Sequence, residues 1–214
     1  PAQALLEQTF APLSAVWVRR PALDAPGGFG LADEQFLRGE VPMTKQEVRA
    51  AALAKLAVQP ADTLWDVGAG TGSVSVELAL AAPRGHVYAV ECDPEACGLI
   101  RQNRETFHAC NLTLVEGRAP AALADLPAPD AVFIGGTKGG MEAVVDTVLA
   151  RNPNARICIS AIALETLSAA VAALTVHGLA AEVTQIAVSR TRPAGRLHLL
   201  MANNPIFLIT GERK

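Results

Sequence analysis

Four cysteines, Cys92, Cys97, Cys110 and Cys158, stand in the 214 residues without a single C-x-x-C pair. That spacing excludes a paired-cysteine zinc site or a dithiol redox motif and leaves reduced, largely buried thiols as the expected state. Aromatics are equally scarce at 4%, and the formal net charge is −3. Neither a global positive field nor an aromatic surface is on offer to nucleic acid, so the chain lacks the general attributes of an RNA-binding protein. No apolar run reaches bilayer length, and no basic segment followed by an apolar core opens the chain. A cytoplasmic protein is expected. Internal repeats and low-complexity tracts are also missing. Half of the residues are apolar, enough at this length for one principal domain with a sizeable core.

Against that background one stretch stands out: Thr63-Leu64-Trp65-Asp66-Val67-Gly68-Ala69-Gly70-Thr71-Gly72, an apolar segment, then Val87-Tyr88-Ala89-Val90-Glu91. It reads as strand, glycine-rich turn, helix and second strand ending in a carboxylate. This is the pattern of a nucleoside-cofactor site. A dinucleotide turn spaces its glycines G-x-G-x-x-G, whereas here the third glycine comes one residue early and Ser73 occupies the dinucleotide position. Asp66, just before the turn, repels a pyrophosphate and attracts an ammonium. S-adenosylmethionine has no phosphate and carries an ammonium, so the acidic turn suits it better than NAD. Gly68, Gly70 and Gly72 let the backbone approach the ligand, and Glu91 accepts hydrogen bonds from the ribose hydroxyls. The bland alternative is a glycine-rich turn without a ligand.

Beyond the turn, short apolar strands alternate with amphipathic helices. Helices are expected at 73–82, 94–107, 141–152 and 164–177, with a shorter one near 119–125; strands are expected at 86–91, 112–116, 131–134, 157–161, 182–188 and 206–210. Such alternation implies an α/β fold with a mostly parallel sheet covered on both faces. The last two strands are joined only by residues 189–205, with no helix, which predicts a C-terminal antiparallel pair closing a seven-stranded sheet, as in Rossmann-like, class I methyltransferases dependent on S-adenosylmethionine. Residues 1–40 differ, being broken by Pro12, Pro21, Pro26, Gly27, Gly28 and Gly30. They read as a linker or N-terminal extension containing at most a short strand at 14–19, with the domain proper at 41–214.

Ligands in such sheets bind beyond the carboxyl ends of the strands. Three segments are therefore expected to line the cleft. Glu116-Gly117-Arg118-Ala119-Pro120 follows the third strand, and the Ala119 N–H is placed to read an adenine edge. Gly135-Gly136-Thr137-Lys138-Gly139-Gly140 follows the fourth, where Gly135 borders the cofactor and Lys138 the substrate. This glycine wall leaves room for a large flat acceptor and supplies no general base, so catalysis rests on proximity and alignment. Arg38 to Arg49 precedes the turn. Its Thr44 and Glu47 have capping-box spacing, which by itself accounts for both residues, while Lys45 and Arg49 recur on one helical face near Arg38 as a candidate anion site. Arg190, Arg192 and Arg196 form a second basic cluster, for which a solvated loop is the plain alternative.

The runs Pro42-Met43-Thr44-Lys45-Gln46-Glu47-Val48-Arg49, Asp66 to Gly72, Glu116 to Pro120, Gly135-Gly136, Ser160-Ala161-Ile162-Ala163-Leu164-Glu165-Thr166 and Asn204-Pro205 together resemble the cobalamin-pathway precorrin methyltransferases. The likeness is to the module that methylates carbon 15 of a precorrin-6B-type ring and decarboxylates the ring C acetate, and it runs from about Phe36 to the C-terminus. It implies cofactor contacts at Thr44, Gly68, Ala69, Gly70, Thr71, Gly72, Glu91 and Ala119, a homotetramer, and fusion in the full protein to an N-terminal methyltransferase domain. Arg118 departs from the acidic residue common at its position in this fold. The tetrapyrrole substrate carries several carboxylates, and Arg38, Lys45, Arg49, Lys138, Arg190, Arg192 and Arg196 are the candidates to hold them. No residue is assigned to the decarboxylation, and no metal is expected. A methyltransferase for RNA or protein, and a non-catalytic S-adenosylmethionine-binding module, are the alternatives.

Overall fold

A computed structural model describes Thr9 and residues 29–213; the short strand expected at 14–19 lies outside them. Among the described residues nine strands and five α-helices follow one another. They are α1 (Gln46–Leu56), β1 (Thr63–Val67), α2 (Ser73–Ala81), β2 (His86–Glu91), α3 (Pro94–Thr106), β3 (Leu112–Glu116), β4 (Ala131–Ile134), α4 (Met141–Arg151), β5 (Arg156–Ala161), α5 (Leu164–Val176), β6 (Leu179–Ile186), β7 (Ser189–Ala194), β8 (Leu197–Ala202) and β9 (Ile206–Arg213). Seven strands form one sheet in the order β3-β2-β1-β4-β5-β9-β6. Neighbours from β3 to β5 pair in parallel, and β9 runs antiparallel to both β5 and β6.

Both sheet faces are buried, which is why the central strands read as continuous apolar runs rather than alternating ones. Leu64, Val87, Ala89 and Phe133 pack under α1 and α2, whereas Trp65, Val67, Val90 and Ile134 pack under α4 and α5. Helix α2 is enclosed on nearly every side and carries one acid, Glu77, in an otherwise small and apolar sequence. Helix α3 starts with Asp93, whose carboxylate accepts from the Glu95 and Ala96 N–H groups, and with Pro94 at its first position. That is a cap of about 1 kcal/mol. Cys97 and Cys158 are buried, Cys92 is half-buried and Cys110 exposed, all four as free thiols. Among the described residues no helix is long and apolar enough to cross a membrane.

Three expectations are corrected. The Thr44 and Glu47 capping box does not form: the N-cap position of α1 is Lys45 without a side-chain bond, and Asp33 Oδ1 accepts from the Gln46 N–H at 2.9 Å instead. A carboxylate delivered from outside the helix is the stronger acceptor, and Glu47 is turned to Arg190. The stretch between the last two sheet strands is not a plain connection, because β7 and β8 form a separate antiparallel hairpin. Its residues are exposed or nearly so on both faces, so no burial pattern announced it. Finally, Leu31 and Phe36, within the expected extension, are buried in the core, so packing begins upstream of residue 41.

Candidate functional site

A cleft of about 900 Å³ opens at the carboxyl ends of β1, β2, β4 and β5. Its floor is the turn from β1 to α2. At Gly68, which adopts φ +72°, an added Cβ would lie 2.3 Å from the Gly136 carbonyl oxygen, so the loops after β1 and β4 touch backbone to backbone. At Gly72, φ +75°, a Cβ would meet Ile100 at 2.9 Å, so this glycine seats α3 against the start of α2. The early third glycine thus serves helix packing. Gly68, Ala69, Gly70 and Thr71 line the cleft, whereas Gly72 does not.

Glu91 ends β2 with its carboxylate on the same cleft. Oε2 accepts from the Gly70 N–H at 2.9 Å, and Oε1 from Cys92 and Asp93 at 2.7 and 2.9 Å. Three backbone donors fix the carboxylate; Oε1 already accepts two of them, and Oε2, which accepts one, keeps acceptor capacity. Asp66 stands behind the turn rather than on the cleft wall. Its Oδ2 accepts from Ser75 Oγ and its Oδ1 has no hydrogen-bond partner. Complete burial, opposed by the Ser75 bond and reinforced by Glu91, pushes its pKa up to about 7. The buried hydroxyl of Thr71 is likewise unpartnered and borders the cleft. Ala119 is half-buried and does not line the cleft; its segment lies beside Glu91, since Gly117 N–H donates to the Glu91 carbonyl at 2.8 Å.

Facing this floor is a lip of residues 40–45, with Thr44 and Lys45, while Gly135 and Lys138 border the cleft from the loop after β4. A far wall, which candidate selection from sequence missed, is built by Ser160 near the end of β5, Ile162, Ala163 and Thr166 beyond it, and Val188, Asn203 and Asn204 at the hairpin base. The signal for it was their place at the carboxyl end of β5 and in the segments that carried the resemblance. Of the seven proposed cations, only Lys45 and Lys138 line the cleft. Lys138 sits in the left-handed region, φ 48°, among glycines, with Nζ 3.7 Å from Cys92 Sγ. Arg38, Arg192 and Arg196 are exposed outside it.

Arg49 is corrected outright as a substrate ligand. It is fully buried, with Nε 2.7 Å from Glu77 Oε1 and Nη1 2.9 Å from Asp33 Oδ1; Nη1 also donates to the Thr44 carbonyl and Nη2 to that of Leu31. Its guanidinium lies over the Phe36 ring at 4.7 Å. Arg190 is also engaged, with Nε and Nη2 on the two oxygens of Glu47 at 3.1 and 2.7 Å and Nη1 2.9 Å from Asp33 Oδ2. The Arg190 contact holds the Glu47 carboxyl below its ordinary range. Among the described residues no cluster of three or more metal-ligating side chains occurs.

A mostly parallel seven-stranded sheet with an antiparallel β9, and a glycine turn and terminal acid at its carboxyl edge, define a Rossmann-like methyltransferase fold. The chain belongs to the precorrin methyltransferase domain family, which matches residues 35–213. It is 47% identical over 186 residues to a protein of Pyrobaculum calidifontis named probable cobalt-precorrin-6B C(15)-methyltransferase (decarboxylating), covering 85% of this chain and 94% of that one. The crystal structure of precorrin-6y C5,15-methyltransferase from Geobacter metallireducens superposes with a TM-score of 0.82 at 41% identity, covering 87% of this chain and 97% of that one. The C-terminal domain of precorrin-6Y C5,15-methyltransferase from Rhodobacter capsulatus superposes at 0.75 with 35% identity, covering 87% and 98%.

Proposed function

We propose that this chain is an S-adenosylmethionine-dependent C-methyltransferase that methylates carbon 15 of a precorrin-6B-type tetrapyrrole and decarboxylates its ring C acetate in cobalamin biosynthesis. The observation that carries the reading is family membership joined to a cleft with two unlike halves. The residues fit the cofactor. Glu91 offers a fixed carboxylate to the ribose hydroxyls, the Gly68 to Thr71 backbone forms the floor, and Thr44 closes the lip. Asp66 Oδ1 and Thr71 Oγ1 are buried polar atoms with unmet hydrogen-bonding capacity beside that floor. Asp66 would complement an ammonium from behind the turn, Gly135 borders the floor, Gly72 acts only by seating α3 against the start of α2, and the Ala119 N–H would meet the adenine. When bound, the cofactor supplies an electrophilic sulfonium methyl.

The far wall takes the acceptor. A reduced tetrapyrrole is rich in enamine character, so its meso carbon can attack in line without a base, and the protein contributes alignment and exclusion of water. Lys45 and Lys138 meet peripheral carboxylates at the cleft, and Arg38, Arg192 and Arg196 extend that positive rim outside it. Loss of CO₂ from the acetate leaves its electron pair in the protonated, conjugated ring. A cytoplasmic homotetramer belongs to the same reading: β8 presents Leu197, Leu199, Leu200 and Met201 as exposed side chains, the material of a subunit contact. So does fusion through residues 1–40 to a second methyltransferase domain, in keeping with the Rhodobacter relative's description as a C-terminal domain.

Mass spectrometry of a precorrin-6B-type tetrapyrrole incubated with the protein and S-adenosylmethionine tests the reading. A product gaining one CH₂ and losing CO₂ supports it. Unchanged substrate under conditions where the cofactor is bound would reduce the chain to a binding module.

A further inference from the structure

Two of the five arginines assigned to the substrate from sequence, Arg49 and Arg190, are engaged in ion pairs instead, and the Arg190–Glu47 pair joins elements that flank the cleft. Glu47 is in the first turn of α1, three residues beyond Thr44 on the lip. Arg190 is on β7, two residues beyond Val188 on the far wall, and the Asn203 N–H closes the hairpin base by donating to the Val188 carbonyl at 2.9 Å. The Arg190 guanidinium therefore spans the gap between lip and far wall. Two of its nitrogens hydrogen-bond Glu47, and Nη1 makes an ion pair with Asp33 Oδ2 at 2.9 Å that lacks hydrogen-bond alignment. Asp33 in turn caps α1 at Gln46 and pairs with Arg49, whose Nη1 donates to the Thr44 carbonyl.

We propose that the Arg190, Glu47 and Asp33 clasp is a positioning device that sets the spacing between the lip and the hairpin base, and so the fit of the acceptor in the cleft. The inference rests on the methyltransferase reading only for the identity of that acceptor. Arg190 touches neither cofactor nor substrate in this role. It acts through Glu47 and Asp33 on Thr44 and Lys45, and through β7 on Val188 and Asn203. A planar bidentate fork fixes both distance and orientation, which a lysine would hold less well. The Glu47 contact is partly exposed, with the Arg190 side chain 36% and that of Glu47 42% accessible, and the buried Asp33 keeps its pair with Arg49 when Arg190 is lost.

The test compares the native protein with Arg190→Gln, Arg190→Lys, Glu47→Gln and the Glu47→Gln/Arg190→Gln pair. Thermal unfolding, S-adenosylhomocysteine affinity by calorimetry, and KM and kcat for the tetrapyrrole are measured on each. The expected result is a KM raised about tenfold in Arg190→Gln, with kcat, cofactor affinity and unfolding temperature near native. Arg190→Lys recovers part of the loss, and the double variant is no worse than Arg190→Gln alone. Equal KM values across the set, or a loss tracking the unfolding temperature, would overturn the clasp. If the native protein turns over no precorrin, the functional reading fails separately. The clasp is then judged by amide exchange at Gln46 and Arg49, whose N–H groups donate to Asp33 Oδ1 and the Lys45 carbonyl, expected to quicken about tenfold in Arg190→Gln and overturned by unchanged rates.

Discussion

The floor of the cleft and its lip face each other across one space, yet they are built from different materials. The floor is backbone: a five-residue turn, three N–H groups on Glu91, and glycines that let neighbouring loops meet. The lip is held from behind by side-chain charge: Arg49, Arg190, Asp33, Glu47 and Glu77 tie together the segment before α1, the first two helices and the hairpin. A backbone site can be written in one short stretch of sequence. A side-chain network needs partners from distant stretches, so its members look like free surface charges until the fold assembles them. Positive residues close to a cleft in sequence are not thereby its ligands: Arg49 and Arg190 pair with acids of the fold instead.

Breaking the lip's buried centre has the largest expected effect. Arg49→Met removes a guanidinium with no solvent exposure and strands Glu77 and Asp33, at a cost of about 3–5 kcal/mol. Urea unfolding measures it. A loss below 1 kcal/mol would mean that the network contributes little to the fold.

The floor's buried acid gives an effect of similar size that depends on pH. The folded-state pKa of Asp66, raised to about 7, exceeds the ordinary value of 3.8. Below pH 3.8 both states are protonated and Asp66 costs nothing. Between that value and about 7 the unfolded chain ionises while the folded one stays neutral, so stability falls as pH rises, and above about 7 the full cost, up to about 4 kcal/mol, is present. Asp66→Asn should remove this component. Unfolding of the native protein and the variant at pH 4, 6 and 8 checks it: the difference between them should widen with pH, and a constant difference would contradict the buried-acid account.

How much of this was legible follows from where burial leaves a trace. Strands β2 and β4 were readable to the residue because they are largely buried and bounded by turn residues, and the edge strand β3 because of its β-branched, apolar run between turns. The early part of β6, Leu179 to Ala181, was not, since an alanine-rich start carries little strand signal. The hairpin was missed because its side chains point to solvent on both sides, and Pro193 within β7 argues against a strand unless that strand is an edge. In the site, Glu91 and the turn were found through their spacing. Lys45 and Lys138 reached the cleft as expected, whereas Arg49 and Arg190 did not. Their partners Asp33 and Glu77 were overlooked, although a lone acid in an apolar helix such as α2 signals a buried cation nearby. The far wall was legible only through the segments around Ser160 and Asn204 that carried the family resemblance.

The separation between a cofactor floor and an acceptor side is tested most directly by crossed substitutions. Glu91→Ala and Lys138→Met are each measured for S-adenosylhomocysteine affinity by calorimetry and for tetrapyrrole KM at saturating cofactor. Removing the Glu91 carboxylate should weaken the cofactor by about 10- to 100-fold and leave the tetrapyrrole KM within about twofold. Removing the exposed Lys138 ammonium should raise that KM severalfold, about 3- to 10-fold, and leave cofactor affinity unchanged. That crossed pattern is the expected result, and parallel losses in both quantities for both variants would contradict a cleft divided in this way.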